Sequence, residues 1–207
     1  MNERMGEAPW YGRVTSATVS GFTAECWSED TEGARVPRFG ELVCAVDGPA
    51  PVYALVTDVA TGPADSTRPV QLRGAPGVPL EEVHRQHPHV LPLLRTGFSA
   101  TTVGHGRDGT LRPSLPGSPP PVLAGVRGCT DDELAQVCRS PDFVPLLMLT
   151  GVLGDQALAA LVRRAAATHP DPSGELVRLC REIGAHYAGD PQRWMTLLRL
   201  VDPGGEA

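Results

Sequence analysis

The sequence predicts an α+β protein: a small antiparallel β-barrel at the N-terminal side, with an inserted helical segment, followed by an α-helical bundle. Two observations predict this class. Up to about residue 73, short runs rich in valine and threonine are broken by turn residues, whereas after Cys129 apolar residues recur at helical spacing. We therefore expect flexible tails at residues 1–9 and 204–207, a barrel over 10–127 and a bundle over 128–203.

The barrel prediction depends on short, closely spaced strands. Asp47-Gly48 directly follows an apolar run, which is a strong hairpin signal. Several short strands at this spacing favour a small barrel over a parallel sheet. The predicted strands cover residues 12–19, 21–27, 41–46, 51–59, 98–103 and 122–126.

A helix-like stretch over residues 79–94 interrupts the strands, and Pro88 and Pro92 are expected to bend or split it. The proline-rich residues 113–121 are predicted to be extended and to cover or bridge a sheet edge. Both segments are expected to belong to the barrel region.

Capping signals mark the helices of the second half. Thr130-Asp-Asp-Glu133 is a capping box, and Ser140-Pro141 and Asp190-Pro191 place a capping residue before proline. Apolar faces follow over residues 156–168, 175–187 and 194–201. We expect four or five helices in a compact bundle.

The composition excludes some chemistries and opposes others. The chain has 18 basic residues, all of them arginine, so a P-loop lysine and a Schiff-base lysine are both excluded. The net charge of −6 argues against general nucleic-acid binding. No cofactor is expected.

Cysteine usage and the N-terminus bear on the compartment. The five cysteines are odd in number and form no Cys-x-x-Cys pair, which indicates reduced thiols. No apolar run reaches the ~18 residues of a membrane span, and no signal sequence is evident. We expect a soluble, cytoplasmic protein without membrane partners.

The strand motifs resemble a known module, the HAS-barrel. They are Gly12-Arg-Val-x-Ser-Ala-x-Val, then Phe39-Gly-Glu-Leu-Val, then Val52-x-Ala-Leu-Val-Thr-Asp. Residues 82–104 look like the segment that follows in HerA-like and stand-alone HAS-barrel proteins, so the resemblance covers residues 10–127. It implies packing of subunits into a ring, or docking of a partner such as a nuclease. The ATPase core of HerA-type translocases and rotary ATP synthase subunits is absent from this sequence.

Three groups of residues are candidates for chemistry. His84, His87 and His89 could bind a metal ion, or could be packing and surface histidines. The turn 104–109 could cradle phosphate, although a hairpin is the favoured interpretation. Arg163-Arg164 and the pair Arg178 and Arg181 could line a phosphate groove, or could belong to a solvated helix face.

These features lead to three functional expectations. The first is a non-catalytic assembly or adaptor protein: the barrel associates with itself or with a HerA-like or other ring, for which open strand edges are a common route, and the helical bundle supplies a partner surface. The alternative is a nucleic-acid-binding accessory factor in DNA or RNA processing. The third is a metal-assisted hydrolase built on the three histidines. The candidate nucleic-acid contacts are Phe22, Trp27, Arg35, Arg38 and Phe39.

Overall fold

A computed structural model describes residues 8–27, 35–65, 67, 75–88, 93–107 and 110–202. The strands within these residues are β1 Trp10–Thr18, β2 Gly21–Cys26, β3 Leu42–Ala45, β4 Val52–Pro63, β5 Leu94–Arg107, β6 Thr110–Arg112 and β7 Gly125–Gly128. The helices are α1 Leu80–Gln86, α2 Asp131–Cys138, α3 Val144–Met148, α4 Val152–Thr168, α5 Pro172–Gly184 and α6 Pro191–Val201, with a 3-10 turn at Ala185–Tyr187. The α+β prediction is confirmed.

Six antiparallel strands form a closed barrel. They follow the order β2-β1-β7-β3-β4-β5, and β5 pairs with β2 to complete the ring, with Gly21 opposite Thr101 and Glu25 opposite Gly97. The expectation of open strand edges is wrong for these six strands, because each finds two neighbours and closure removes the edges. Among the described strands, the short β6 lies outside the ring and pairs only with β5.

Strand β3 and the first half of β4, residues 52–57, are buried on both faces. Side chains alternate across a strand, so one face points into the barrel and the other toward the helices. Val43, Ala45 and Val56 belong to the apolar cluster inside the barrel. Leu42 and Leu55 instead pack in the cluster formed with the helices. The near-continuous apolar run over residues 42–46 reflects this two-sided burial.

Helices α2 to α6 pack on one outer side of the barrel, with α4 at their centre. Leu158 and Leu161 of α4 are fully buried in the same cluster as Leu55 of the barrel. Arg193 of α6 donates to both carboxylate oxygens of Asp155 on α4 at 2.6 and 2.9 Å, and Tyr187 donates to the same carboxylate at 2.6 Å. The last helix is thereby fixed to the central one.

Two of the three capping predictions are confirmed. Thr130 and Glu133 form the capping box of α2, and Asp190 accepts from the backbone N–H of Arg193 at the start of α6. Ser140 caps no helix, because its hydroxyl donates to Asp142 and α3 begins only at Val144. The inserted helical stretch is α1, which is shorter than expected and has its C-cap at His87, just before Pro88.

Among the described residues, no helix combines the length and the apolar character that a membrane crossing requires.

Candidate functional site

A cavity of about 920 Å³ lies where the barrel meets helix α4. Four arginines from two distant parts of the chain line it, together with a glutamate and an exposed phenylalanine. We call this cavity the arginine groove: Arg35, Arg38, Phe39, Glu41, Arg163 and Arg164.

The loop before β3 carries one wall of the groove and rests directly on α4. Gly40 has a φ of +74°, and a Cβ there would lie 2.3 Å from the Cβ of Ala160. Only glycine combines this left-handed backbone with so close an approach. The backbone N–H of Gly40 donates to the carbonyl of Val56 at 2.8 Å, which attaches the loop to the barrel as well.

Glu41 joins the three elements that meet beneath the groove. Its Oε1 accepts from the hydroxyl of Tyr11 on β1 at 2.5 Å and from Nη1 of Arg164 on α4 at 2.9 Å. Its Oε2 accepts from the backbone N–H of Arg38 at 2.9 Å. One buried carboxylate thus fixes the positions of barrel, loop and helix relative to each other.

The environment of Glu41 keeps its carboxylate ionised. Burial favours the neutral acid, but the hydrogen bonds from Arg38, Tyr11 and Arg164 outweigh burial and hold the pKa of Glu41 below its usual value. Burial, and then the hydrogen bond to Glu41, raise the pKa of the Tyr11 hydroxyl. At neutral pH the pair is therefore a carboxylate that accepts from a neutral phenol.

The arginines retain donors for a ligand. Arg164 leaves 42% of its side chain exposed, and the contacts described for it use only Nη1 of the three guanidinium nitrogens, which together carry five N–H donors. Arg163 donates through Nη1 to the carbonyl of Leu200. Within the part of the chain that the structure describes, no carboxylate pairs with the exposed guanidinium groups of Arg35 and Arg38.

The groove reverses the sign of the chain's charge locally. Four arginines and one glutamate line it, an excess of three positive charges, whereas the whole chain carries −6. Guanidinium groups bind carboxylates and phosphates through paired N–H donors. The arrangement therefore suits a small anionic group.

Three of the five residues predicted to contact nucleic acid lie together in the groove: Arg35, Arg38 and Phe39. Trp27 does not line the groove: it directly follows β2, its backbone N–H donates to the carbonyl of Tyr11, and the guanidinium of Arg13 stacks on its ring at 5.3 Å. Phe22 is not available for contact with nucleic acid, because it is 4% exposed and packs against Phe98 inside the barrel.

The two arginine pairs of the helices, Arg163 with Arg164 and Arg178 with Arg181, lie in different surroundings. Arg163 and Arg164 do line a groove, as one of the two interpretations of the sequence expected. Arg178 instead forms ion pairs with Glu175 and Glu182 and donates to the carbonyl of Cys138. Its contacts are those of a side chain that fixes α5 to α2.

The histidines and the glycine-rich turn do not form a ligand cluster in the described residues. His84 and His87 lie at the end of α1, while His89 lies outside the described residues. Among those residues, no three His, Cys, Asp or Glu side chains lie together in a way that could hold a metal ion. The expected hairpin near residues 104–109 is present, with His105 opposite Arg112.

Burial suppresses the reactivity of the cysteines. It raises the pKa of the Cys26 thiol to about 11 and those of Cys44 and Cys138 to about 12, and it also raises the pKa of Cys129 and Cys180. The nucleophilic form is the thiolate, so these thiols are not prepared for attack at neutral pH.

Sequence reasoning identified both sets of arginines and missed that they meet. Arg38 and Arg164 are far apart in the chain and join only because α4 packs against the barrel. The signal that could have linked them is Gly40, a glycine in front of a buried strand, where a close approach of backbone is expected. No protein-family model matches the chain, and no curated protein matches it.

Proposed function

We propose that this protein is a non-catalytic adaptor and that the arginine groove is the surface with which it recognises an anionic group on a macromolecular partner. The observation that carries the proposal is the convergence of four arginines on one cavity in an acidic chain. Keeping four like charges together is unfavourable unless an anion offsets their repulsion. Glu41 supplies only one negative charge, and it is already engaged with Tyr11 and Arg164.

The resemblance of residues 10–127 to HAS-barrels supports a partner that forms rings, such as a HerA-like assembly, or a second copy of this chain. Since the six barrel strands have no open edge, pairing of strands is a poor route to such a partner. A contact through the groove needs no strand edge.

A second candidate function is that of a nucleic-acid-binding accessory factor. The observation that favours it is the exposed ring of Trp27 beneath the guanidinium of Arg13 on the barrel surface. Aromatic rings and arginines on one side of a barrel bind single strands by stacking and charge. The net charge of −6 opposes this function because it repels a long phosphate backbone.

Calorimetric titration with short poly-L-glutamate at low salt tests the proposal. The wild type should bind, and the double variant R35A/R38A should bind about tenfold more weakly or worse, because two charge-assisted contacts are lost. The control R181A/R199A removes the same charge from exposed positions on α5 and α6 and should bind like the wild type. Equal binding by R35A/R38A, or no binding by the wild type, would rule the proposal out.

A further inference from the structure

The groove pairs its charges with exposed apolar side chains. Val36 and Phe39 are 45% and 39% exposed and alternate along the loop with Arg35 and Arg38. An inorganic anion would use the arginines and leave these two side chains in water. A ligand that offers both a carboxylate and an apolar side chain would use all four.

The charge of the chain limits how long an anionic ligand can be. The groove lining has an excess of three positive charges, so the remainder of the chain is more negative than the total of −6. Charges separated by more than ~8–10 Å are largely screened at physiological salt, so a ligand confined to the groove experiences mainly the arginines. A long polyanion would extend beyond the groove and experience the net negative charge of the remainder of the chain.

The arginines are placed to receive more than one carboxylate. Arg164 is held in place by Glu41 in the wall formed by α4, whereas Arg35 and Arg38 lie on the loop of the barrel. Because Glu41 already orients Arg164, little side-chain freedom is lost when a ligand binds to it. Donors on two walls suit two acidic residues of one peptide.

From these observations we infer that the ligand is a short peptide segment of a partner protein in which acidic residues flank a bulky apolar side chain. This inference rests on the proposed function, and it names the partner of the same groove. The carboxylates bind to Arg35, Arg38 and Arg164, and the apolar side chain packs against Val36 and Phe39.

Fluorescence anisotropy with labelled ligands of matched length tests the inference. The probes are an acidic peptide with a central phenylalanine, the same peptide with glycine in its place, the same peptide with amides in place of the acids, and single-stranded oligothymidylate. We expect the first peptide to bind about tenfold more tightly than the glycine and the amide peptides. It should also bind more tightly than the oligonucleotide at the same salt concentration.

Protein variants assign the two parts of the contact. Phe39→Ser should weaken the preference for phenylalanine over glycine while charge-dependent binding persists, since Phe39 is exposed and its loss leaves the core intact. R35A/R38A should weaken both acidic peptides, and R181A/R199A should change neither. Circular dichroism of each variant confirms that it is folded.

The outcomes separate this inference from the proposed function. If the glycine peptide binds as tightly as the phenylalanine peptide, the inferred apolar contact does not contribute to binding, whereas the proposed recognition of an anionic group by the groove is retained. If the oligonucleotide binds more tightly than the acidic phenylalanine peptide, the inference of a peptide ligand is wrong and the nucleic-acid-binding function is favoured. If neither acidic peptide nor the oligonucleotide binds, both the inference and the proposed function fail.

Discussion

Glu41 is the residue whose charge state connects barrel, loop and helix. Its folded-state pKa is lower than its usual value of 4.5, so it stabilises the fold at pH values above the unfolded-state pKa. This stabilisation is lost as the pH falls through the folded-state pKa. The free energy of unfolding should therefore decline on acidification below about pH 5.

Glu41→Gln should lower the free energy of unfolding at neutral pH by about 1–3 kcal/mol, because a charged acceptor of three hydrogen bonds becomes neutral. The difference from the wild type should shrink in acid, where Glu41 itself is protonated. Urea denaturation across the acid range measures both values. Glu25→Gln is the matched control, since its ion pair with Arg95 is about half exposed on both sides and is worth little. A loss that stays constant with pH would contradict the role of the charge.

Thr102 presents the opposite case, a buried polar group without a partner. Its hydroxyl is fully buried and finds no hydrogen-bond partner in the described residues. Thr102→Val replaces this hydroxyl with a methyl group of the same shape and should raise the free energy of unfolding by about 1 kcal/mol.

Thermal denaturation measures this difference, and Thr57→Val is the control for Thr102→Val. The hydroxyl of Thr57 donates to the carbonyl of Ser99, so valine should not stabilise the protein there. A destabilised Thr102→Val would show that the hydroxyl is satisfied, for example by a buried water molecule.

At the scale of elements, the loop before β3 has to touch α4 for the groove to exist. Gly40→Ala would add a Cβ in a left-handed backbone and against Ala160, and we expect a loss of about 2 kcal/mol or more. Gly77→Ala is the control, because Gly77 has a φ of +84° but open space around it, and it should lose only about 1 kcal/mol. Chemical denaturation measures both losses, and equal losses would contradict the contact with α4.

The sequence predicted some elements well and others poorly, for identifiable reasons. The capping box of Thr130 and Glu133 and the hairpin at Asp47-Gly48 are local signals, and the predicted α2 and the antiparallel pair β3–β4 are present. The helical stretch predicted to reach residue 94 ends instead at Gln86, because Pro88 cannot continue the helix, and from Leu94 onward the chain forms β5, with Leu94 opposite Pro63 of β4.

At the scale of the whole molecule, barrel and helices share one apolar core. Leu42, Leu55 and Val103 of the strands pack in the same cluster as Leu158 and Leu161 of α4. Unfolding of either part would expose the buried face of the other, which links their stabilities.

We therefore predict a single cooperative unfolding transition. Trp27 reports on the barrel and Trp194 on the helices, so variants that retain only one of them, W10F/W194F and W10F/W27F, follow each part by fluorescence. For each variant, the urea midpoint measured by tryptophan fluorescence should coincide with the midpoint measured by circular dichroism, which reports on the whole molecule. Two separated transitions would contradict a shared core.

The candidate site was predictable in its parts and unpredictable as a whole. The arginines at positions 35, 38, 163 and 164 were each recognised as candidates for anion contacts, but nothing in their spacing shows that they meet. Their meeting depends on how α4 packs on β3 and β4, a long-range contact that local patterns do not encode. The burial of Phe22 depends in the same way on the closure of the barrel by β5.

An exchange of charge between groove and ligand tests the central claim most directly. Affinities are measured for four pairs: wild type and R35E/R38E, each with the acidic phenylalanine peptide and with its counterpart that carries lysine in place of the acids. The account predicts that the wild type prefers the acidic peptide and that R35E/R38E prefers the lysine peptide, each by about tenfold or more. If R35E/R38E binds the acidic peptide as tightly as the wild type does, the arginine groove is not the recognition surface.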